Sequence, residues 1–275
     1  MNHPLYTPVQ AHSPTLSLPG RYCEWKPSHR LRKYINCYWI TPLTDQPKLE
    51  AVDNVEMIVP DGCIDIVFRI DRTLPDIQGH VVGTVDRAIF VDMEYDRVET
   101  FGIRFYPGGL QPFLREPAHL FTNHINNLAD VAKGFARELK EQFYLSPSID
   151  HTIYRINRYL LSKLSTELAW EDTFQNALMH IYQAKGNLSV KEIAKKEAIS
   201  EKQLMRIFYE RAGVGTKTFS RIIRLQQLLT LLHNKEEMTL TGAATQGGYY
   251  DQAHCIREFQ DLCGLLPSAY IKFRN

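Results

Sequence analysis

Cysteine is sparse in this sequence and forms no recognisable pairs. The five residues Cys23, Cys37, Cys63, Cys255 and Cys263 contain no C-x-x-C, which argues against a disulfide framework or a cysteine zinc site and fits a reducing, cytoplasmic compartment. Long apolar runs are missing too. No stretch approaches the roughly 18 residues of a membrane span, and the opening MNHPLYTPVQAHSPTLSLPG lacks the basic and apolar regions of a signal peptide, so no membrane partner is expected. The ten histidines are scattered, with no His-x-His followed by a carboxylate, so no metal and no other cofactor is expected. Nor does either sign of charge dominate: 32 Lys+Arg stand against 31 Asp+Glu. That balance conceals a split. Residues 175–275 carry 14 basic against 9 acidic side chains, about +5, whereas residues 1–174 carry 18 against 22, about −4.

What is present is globular: 44% of the 275 residues are hydrophobic, enough for two domains of ordinary size. The C-terminal part contains a repeat. AISEKQLMRIFYERAG, residues 198–213, returns as GGYYDQAHCIREFQDLCG, residues 247–264, at a shift of about 51 residues. Ser200 then aligns with Asp251, Leu204 with Cys255, Arg206 with Arg257, Phe208 with Phe259 and Gly213 with Gly264.

In the first copy, Ser189-x-x-Glu192 and Ser200-x-x-Gln203 both read as capping boxes. Val190, Ile193 and Ala194 would face inward from one short helix, and Leu204, Ile207 and Phe208 from the next. Two short helices joined by about three residues make a helix-turn-helix. In the second copy a weaker helix is expected from Thr239 to Gly247, with Leu240, Ala243 and Ala244 inward. Gly248 supplies a positive φ, Asp251 caps the following helix, and Tyr249 plugs the core between the two. Between the copies, TKTFSRIIRLQQLLTLLHN carries apolar residues at helical spacing. A helix of that size spans roughly 25 Å and can hold two recognition helices toward successive major-groove segments.

Residues 185–272 resemble the DNA-binding domain of the AraC/XylS transcription regulators, with two helix-turn-helix units, a linking helix and the closing pattern GYYDQAHCIREFQDLCGLLPSAY. Ala198 stands where that family usually has glycine, and Thr216 where proline is common. Gly242 and Ala243 replace a polar residue and an isoleucine. The resemblance implies base contacts at Lys202, Met205 and Arg206, and at Gln252, Ala253, His254 and Arg257. Arginine suits guanine, glutamine suits adenine, and the apolar side chains suit a thymine methyl. Contacts to the DNA backbone are expected at Ser189, Ser200, Tyr209, Arg221, Arg224 and Thr239.

The N-terminal part reads as short strands in KYINCYWI, VEMIVP, CIDIVFRI, HVVGTV, AIFVDM and ETFGIRFYP, divided by turns such as Pro60-Asp61-Gly62. Two amphipathic helices follow, NNLADVAKGFARELKEQFYL and SIDHTIYRINRYLLSKLSTEL. The expected fold class is α+β. It comprises a β-rich, cupin-like barrel or sandwich with a helical pair, then an all-α domain with two helix-turn-helix units. The expected domains are a flexible arm at 1–20, a regulatory and dimerisation domain at 21–168 and a DNA-binding domain at 169–275. Tyr38, Trp39, Asp65, Phe68 and Phe105 are candidates for an effector pocket, although strand aromatics more often form core, and an Asp in an apolar strand is more often structural.

These features together imply a DNA-binding regulator rather than an enzyme. Its expected partners are double-stranded promoter DNA, a small-molecule effector or a protein acting on the N-terminal domain, RNA polymerase by family resemblance, and a second copy of the chain. The alternative is an enzyme or repair-type domain fused to the same module, which requires a reactive cysteine or a metal cluster.

Overall fold

The computed structural model describes residues 6–12, 21–43, 55–71, 76–92, 98–164, 172–234 and 240–274. Strands β1 (Cys23–Trp25), β2 (Ile35–Thr41), β3 (Val55–Ile58), β4 (Ile64–Asp71), β5 (Gln78–Val82), β6 (Ile89–Asp92), β7 (Val98–Phe105) and β8 (Ile125–Asn127) come first. They form a six-stranded sheet in the order β1-β2-β7-β4-β5-β8 and a two-stranded sheet, β3-β6. Pairing is antiparallel throughout. The six expected strands are all present, whereas β1 and β8, three residues each, were too short to show alternation. A barrel specifically of cupin type is not established by these two sheets.

Side chains alternate across the large sheet because its strands are pleated with a period of two. Tyr38 of β2, Ile66 and Phe68 of β4, and Phe101, Ile103 and Phe105 of β7 enter one apolar core. Helices α1 (Leu128–Tyr144) and α2 (Ile149–Lys163) cover that face with Leu128, Leu139, Ile153, Ile156 and Leu160. Asn127 caps α1 by accepting from the Ala129 N–H, and Ser148 caps α2 by accepting from the His151 N–H. Trp39, Asp65 and Arg104 lie on the other face, where the backbone at Gly102 admits the Trp39 ring: a Cβ there would meet the indole at 1.9 Å.

The C-terminal domain contains α3 (Asp172–Gln183), α4 (Val190–Lys196), α5 (Glu201–Ala212), α6 (Thr216–Asn234), α7 (Leu240–Gln246), α8 (Gln252–Cys263) and α9 (Pro267–Arg274). Helix α3 was not anticipated. It closes the first unit with Phe174, Ala177, Leu178 and Ile181. The 19-residue α6 is about 28 Å long at 1.5 Å per residue. Its N-terminal half gives Phe219, Ile222 and Ile223 to the first unit's core, and its C-terminal half gives Leu225, Leu228 and Leu229 to the second's.

The expected flexible arm is corrected at residues 6–12, which are packed between the domains. Tyr6 is 2% exposed and stacks on Tyr182 of α3 at 4.8 Å, while its hydroxyl donates to the Asp61 carbonyl. Gln226 of α6 accepts from the Val9 N–H at 2.7 Å and donates to the carbonyls of Val9 at 3.0 Å and Pro60 at 2.8 Å. An aromatic and a buried amide at these positions give the segment enough apolar area and hydrogen bonding to offset the entropy of ordering it.

Candidate nucleic-acid interface

The first recognition helix, α5, starts where Ser200 accepts from the Gln203 N–H at 3.1 Å and ends at Gly213, whose φ is +81°. Its apolar residues Leu204, Ile207, Phe208 and Ala212 are buried. Lys202, Met205, Arg206 and Tyr209 are left on the exposed surface, with Met205 and Tyr209 each 45% exposed. An exposed methionine and tyrosine on one helix face form an apolar strip between cationic groups, suited to thymine methyls and sugars. The preceding helix, α4, has the full capping box: Ser189 Oγ accepts from the Glu192 N–H at 3.2 Å, and Glu192 Oε2 accepts from the Ser189 N–H at 2.9 Å. Ser189 Oγ also donates to that carboxylate at 2.6 Å, and these hydrogen bonds from Ser189 hold the Glu192 carboxyl below its usual pKa. The Ser189 hydroxyl is therefore committed within the protein. At Ser200 the structure shows only the first half of a box.

Ala198, in the turn between α4 and α5, has φ +54°, the left-handed conformation that glycine tolerates and a Cβ strains. The corresponding turn of the second unit has Gly248 at φ +79°. Asp251 then caps α8 by accepting from the His254 N–H at 2.6 Å, and Tyr249 is buried at 6% exposure. Along α8, Gln252, Ala253 and Arg257 are exposed and His254 half-buried, while Cys255, Phe259 and Leu262 face inward. Of the seven side chains expected to meet bases, six are exposed and His254 is half-buried, and two pairs, Lys202 with Ala253 and Arg206 with Arg257, hold equivalent positions of the repeat.

Besides Ser189, two further residues expected at the DNA backbone have internal partners. Arg224 grips Glu258 through Nε at 2.9 Å and Nη2 at 3.1 Å, reaches Asn187 Oδ1 at 3.3 Å, and lies 5.5 Å from the Tyr249 ring centroid. Arg221 donates to Glu258 at 3.3 Å and to Asp261 at 3.3 Å. Glu258, 7% exposed, thus ties the linking helix to the second recognition helix. Sequence alone gave no reason to select it, because one acidic residue in an amphipathic helix looks like solvated surface. Thr239, a further expected backbone contact, lies outside the described residues.

The opposite face of the large sheet and the small sheet together line an open-sided cavity of about 240 Å³. Of the five residues expected at an effector pocket, Trp39 and Asp65 line it. Tyr38, Phe68 and Phe105 do not: each is fully buried in the core beneath α1 and α2, as their register on the pleat requires. Arg104, which faces Asp65 across β4-β7, was missed. It donates through Nε at 3.3 Å and Nη2 at 3.2 Å to Asp65, which also accepts from Trp39 Nε1 at 2.9 Å. Asp61 lies 4.0 Å from the guanidinium and accepts from the Cys63 N–H and from Gln10. Burial pushes the Asp65 carboxyl above its usual pKa, against the pull of Arg104.

Residues 193–272 match a family described as helix-turn-helix domain. The C-terminal region is an AraC-type helix-turn-helix domain. The match begins within α4 and runs into α9, so the AraC-type module includes both recognition helices and the linking helix. Residues 23–127 match a second family, described as a domain of unknown function, which takes in all eight strands. No curated protein matches the chain. Among solved structures, ToxT from Vibrio cholerae in its P21 form is similar at 11% identity and a TM-score of 0.44, over 80% of this chain and 97% of that one. ToxT from Vibrio cholerae strain SCE256 with bound unsaturated fatty acid is similar at 11% identity and a TM-score of 0.41, over 80% and 94%. No described helix is long and apolar enough to cross a membrane.

Proposed function

We infer that the chain is a sequence-specific, DNA-binding transcription regulator of the cytoplasm, tuned by a small molecule in the cavity of its N-terminal domain. The observation that carries this reading is the pair of capped recognition helices presenting equivalent outward faces from one linking helix. Lys202, Met205, Arg206, Gln252, Ala253, His254 and Arg257 contact bases, and Ser200 and Tyr209 contact the backbone. Arg221 and Arg224 instead hold the second unit in place. The net charge of about +5 on residues 175–275 gives weak binding from one copy. Dimerisation, with α1 and α2 as the interface, raises it, and Tyr144, Leu145 and Tyr154, each more than half exposed, supply apolar area there. RNA polymerase is the downstream partner.

The reading as a fused enzyme requires a reactive cysteine or a metal cluster, and among the described residues no group of three or more His, Cys, Asp or Glu could hold a metal ion. Cys37 and Cys63 are buried, and burial raises both thiols well above their usual pKa, which disfavours the nucleophilic thiolate. Selection of bound sites from random DNA, followed by titration of the Arg206→Ala protein on the selected site, tests the proposal. A base contact costs about 1–3 kcal/mol on that site and little on scrambled DNA. An equal loss on both sequences would assign Arg206 to phosphate, and failure to recover any site would refute sequence-specific reading.

A further inference from the structure

The carbonyls in the last turn of a helix have no partner within it. At the ends of both recognition helices the N-terminal domain supplies one. The Thr122 hydroxyl donates to the Gly213 carbonyl at the C-cap of α5 at 2.7 Å, and the Gln111 amide donates to the Glu210 carbonyl in its last turn at 3.3 Å. Near the end of α8, the Leu262 carbonyl accepts from the Ala88 N–H at 2.7 Å. Both grips are packed as well as hydrogen-bonded. A Cβ at Gly213 would lie 2.6 Å from Thr122 Oγ1, and Ala88 packs on the core of the second unit. The two grips are also tied to each other. Ala88 belongs to the loop 83–88 that joins β5 to β6, and Thr122 to the loop 121–124 that leads into β8. Between these loops the Gly83 N–H donates to the His124 carbonyl at 3.1 Å and the Asn123 N–H to the Thr84 carbonyl at 3.0 Å. Side chains lock the pair: Asn123 Oδ1 accepts from the Asp86 N–H at 3.0 Å, and Asn123 Nδ2 donates to Asp86 Oδ1 at 3.0 Å. Thr84, 1% exposed, anchors the joint by donating to the Cys63 carbonyl at 3.2 Å.

We propose that these two loops form a bracket that fixes one recognition helix relative to the other, so that the N-terminal domain, together with the linking helix, sets the half-site spacing the protein accepts. Thr122 and Asn123 are its positioning residues. The proposal rests on the reading of the chain as a sequence-specific DNA-binding regulator. Within the C-terminal domain the two units have separate cores that share α6, so a bend in that one helix would swing one unit against the other. Attachment of both free ends to a common joint closes the frame. One inserted base pair moves a half-site by about 3.4 Å along the DNA axis and turns it by about 34°, a full turn being 10–10.5 base pairs. A rigid pair of helices refuses that displacement, and a loosened pair absorbs part of it. Gly83 and Val85 also line the cavity, so the same joint stands between the cavity and both recognition helices.

The test uses the full-length protein and three DNAs: the selected site, the same site with one base pair inserted between its halves, and a site that keeps only the half read by α5. The parent is expected to bind the inserted site at least about tenfold more weakly than the selected one, as the loss of one good base contact does. Thr122→Val removes the hydroxyl at nearly constant shape, and Asn123→Gly removes the amide while keeping the left-handed backbone, φ +60°. Each should shrink the insertion penalty about fivefold, the equivalent of one hydrogen bond, and leave the lone half-site unchanged. Thr122→Ser, which retains the hydroxyl, should restore the parent's penalty. A second readout needs no DNA: in Asn123→Gly the Ala88 amide, the donor to Leu262, should exchange its hydrogen faster. A parent indifferent to the insertion, an unchanged penalty in both variants, weaker binding of the lone half-site by Thr122→Val, a Thr122→Ser protein that behaves like Thr122→Val, or unchanged exchange at Ala88 would each overturn the proposal. Failure to recover any selected site would count against the regulator reading, and the exchange measurement would still decide whether the two grips act as one.

Discussion

Replacement of Glu258 by alanine isolates the contact that joins the two helix-turn-helix units. The carboxylate is 7% exposed and accepts three hydrogen bonds, two from Arg224 and one from Arg221. Breaking a fully buried ion pair costs about 3–5 kcal/mol because a charge is stranded. Here the stranded cations keep some water, their side chains being 17% exposed at Arg224 and 29% at Arg221. Arg221 also retains Asp261. The expected loss is therefore nearer 2 kcal/mol, in line with charged hydrogen bonds at about 1.5–3 kcal/mol each, partly replaced by solvent. Arg224→Ala should cost more than Arg221→Ala, since Arg224 alone makes the two-point contact and covers the Tyr249 ring. Urea denaturation measures the stability change, and hydrogen exchange locates it, with faster exchange in α8 and little change in α5. Affinity for selected DNA should fall through the half-site read by α8. A loss below about 0.5 kcal/mol, the range of ordinary surface substitutions, together with unchanged α8 protection, would show that the apolar core alone holds the second unit and refute the reasoning.

Ala198→Gly should stabilise the protein by about 0.5–1 kcal/mol in thermal unfolding, because relief of left-handed strain exceeds the added chain entropy. Ala198 is exposed, so no packing is lost; a destabilised variant would contradict this. Gln226→Ala removes the three hydrogen bonds that hold residues 6–12 and the Pro60 turn against α6. It should cost about 2–4 kcal/mol and open the N-terminal segment to limited proteolysis. An unchanged digestion pattern would mean that Tyr6 stacking suffices. Helix α7, with Gly242 in its interior, should exchange its amides faster than the fully boxed α4, since glycine costs about 1 kcal/mol relative to alanine. Equal protection would show that packing on α6 compensates.

The local signals in the C-terminal domain were legible because they are chemical and short in range. Ser189, Ser200 and Asp251 hydrogen-bond to a backbone N–H three residues on, Gly248 permits its own φ, and the apolar residues at helical spacing mark the inward faces. Strand alternation was equally visible between Ile64 and Phe105. What lies on each face of a sheet is different, because it depends on what covers that face. Tyr38, Phe68 and Phe105 entered the core only because α1 and α2 fold over one side of the sheet, while the same alternation sent Trp39 and Asp65 to the cavity. The partners of Arg104, Glu258 and Gln226 were beyond reach for a related reason. Gln226 and Val9 are 217 positions apart, and Arg224 and Glu258 are 34 apart. No local preference encodes such a pairing; it follows from which helices pack together. The sequence by itself determined the paired helix-turn-helix units, their caps and their outward faces. Only the tertiary structure decided that two basic residues clamp the second unit rather than stand free for DNA, that residues 6–12 bridge the domains, and that a buried charge triad forms the floor of a cavity.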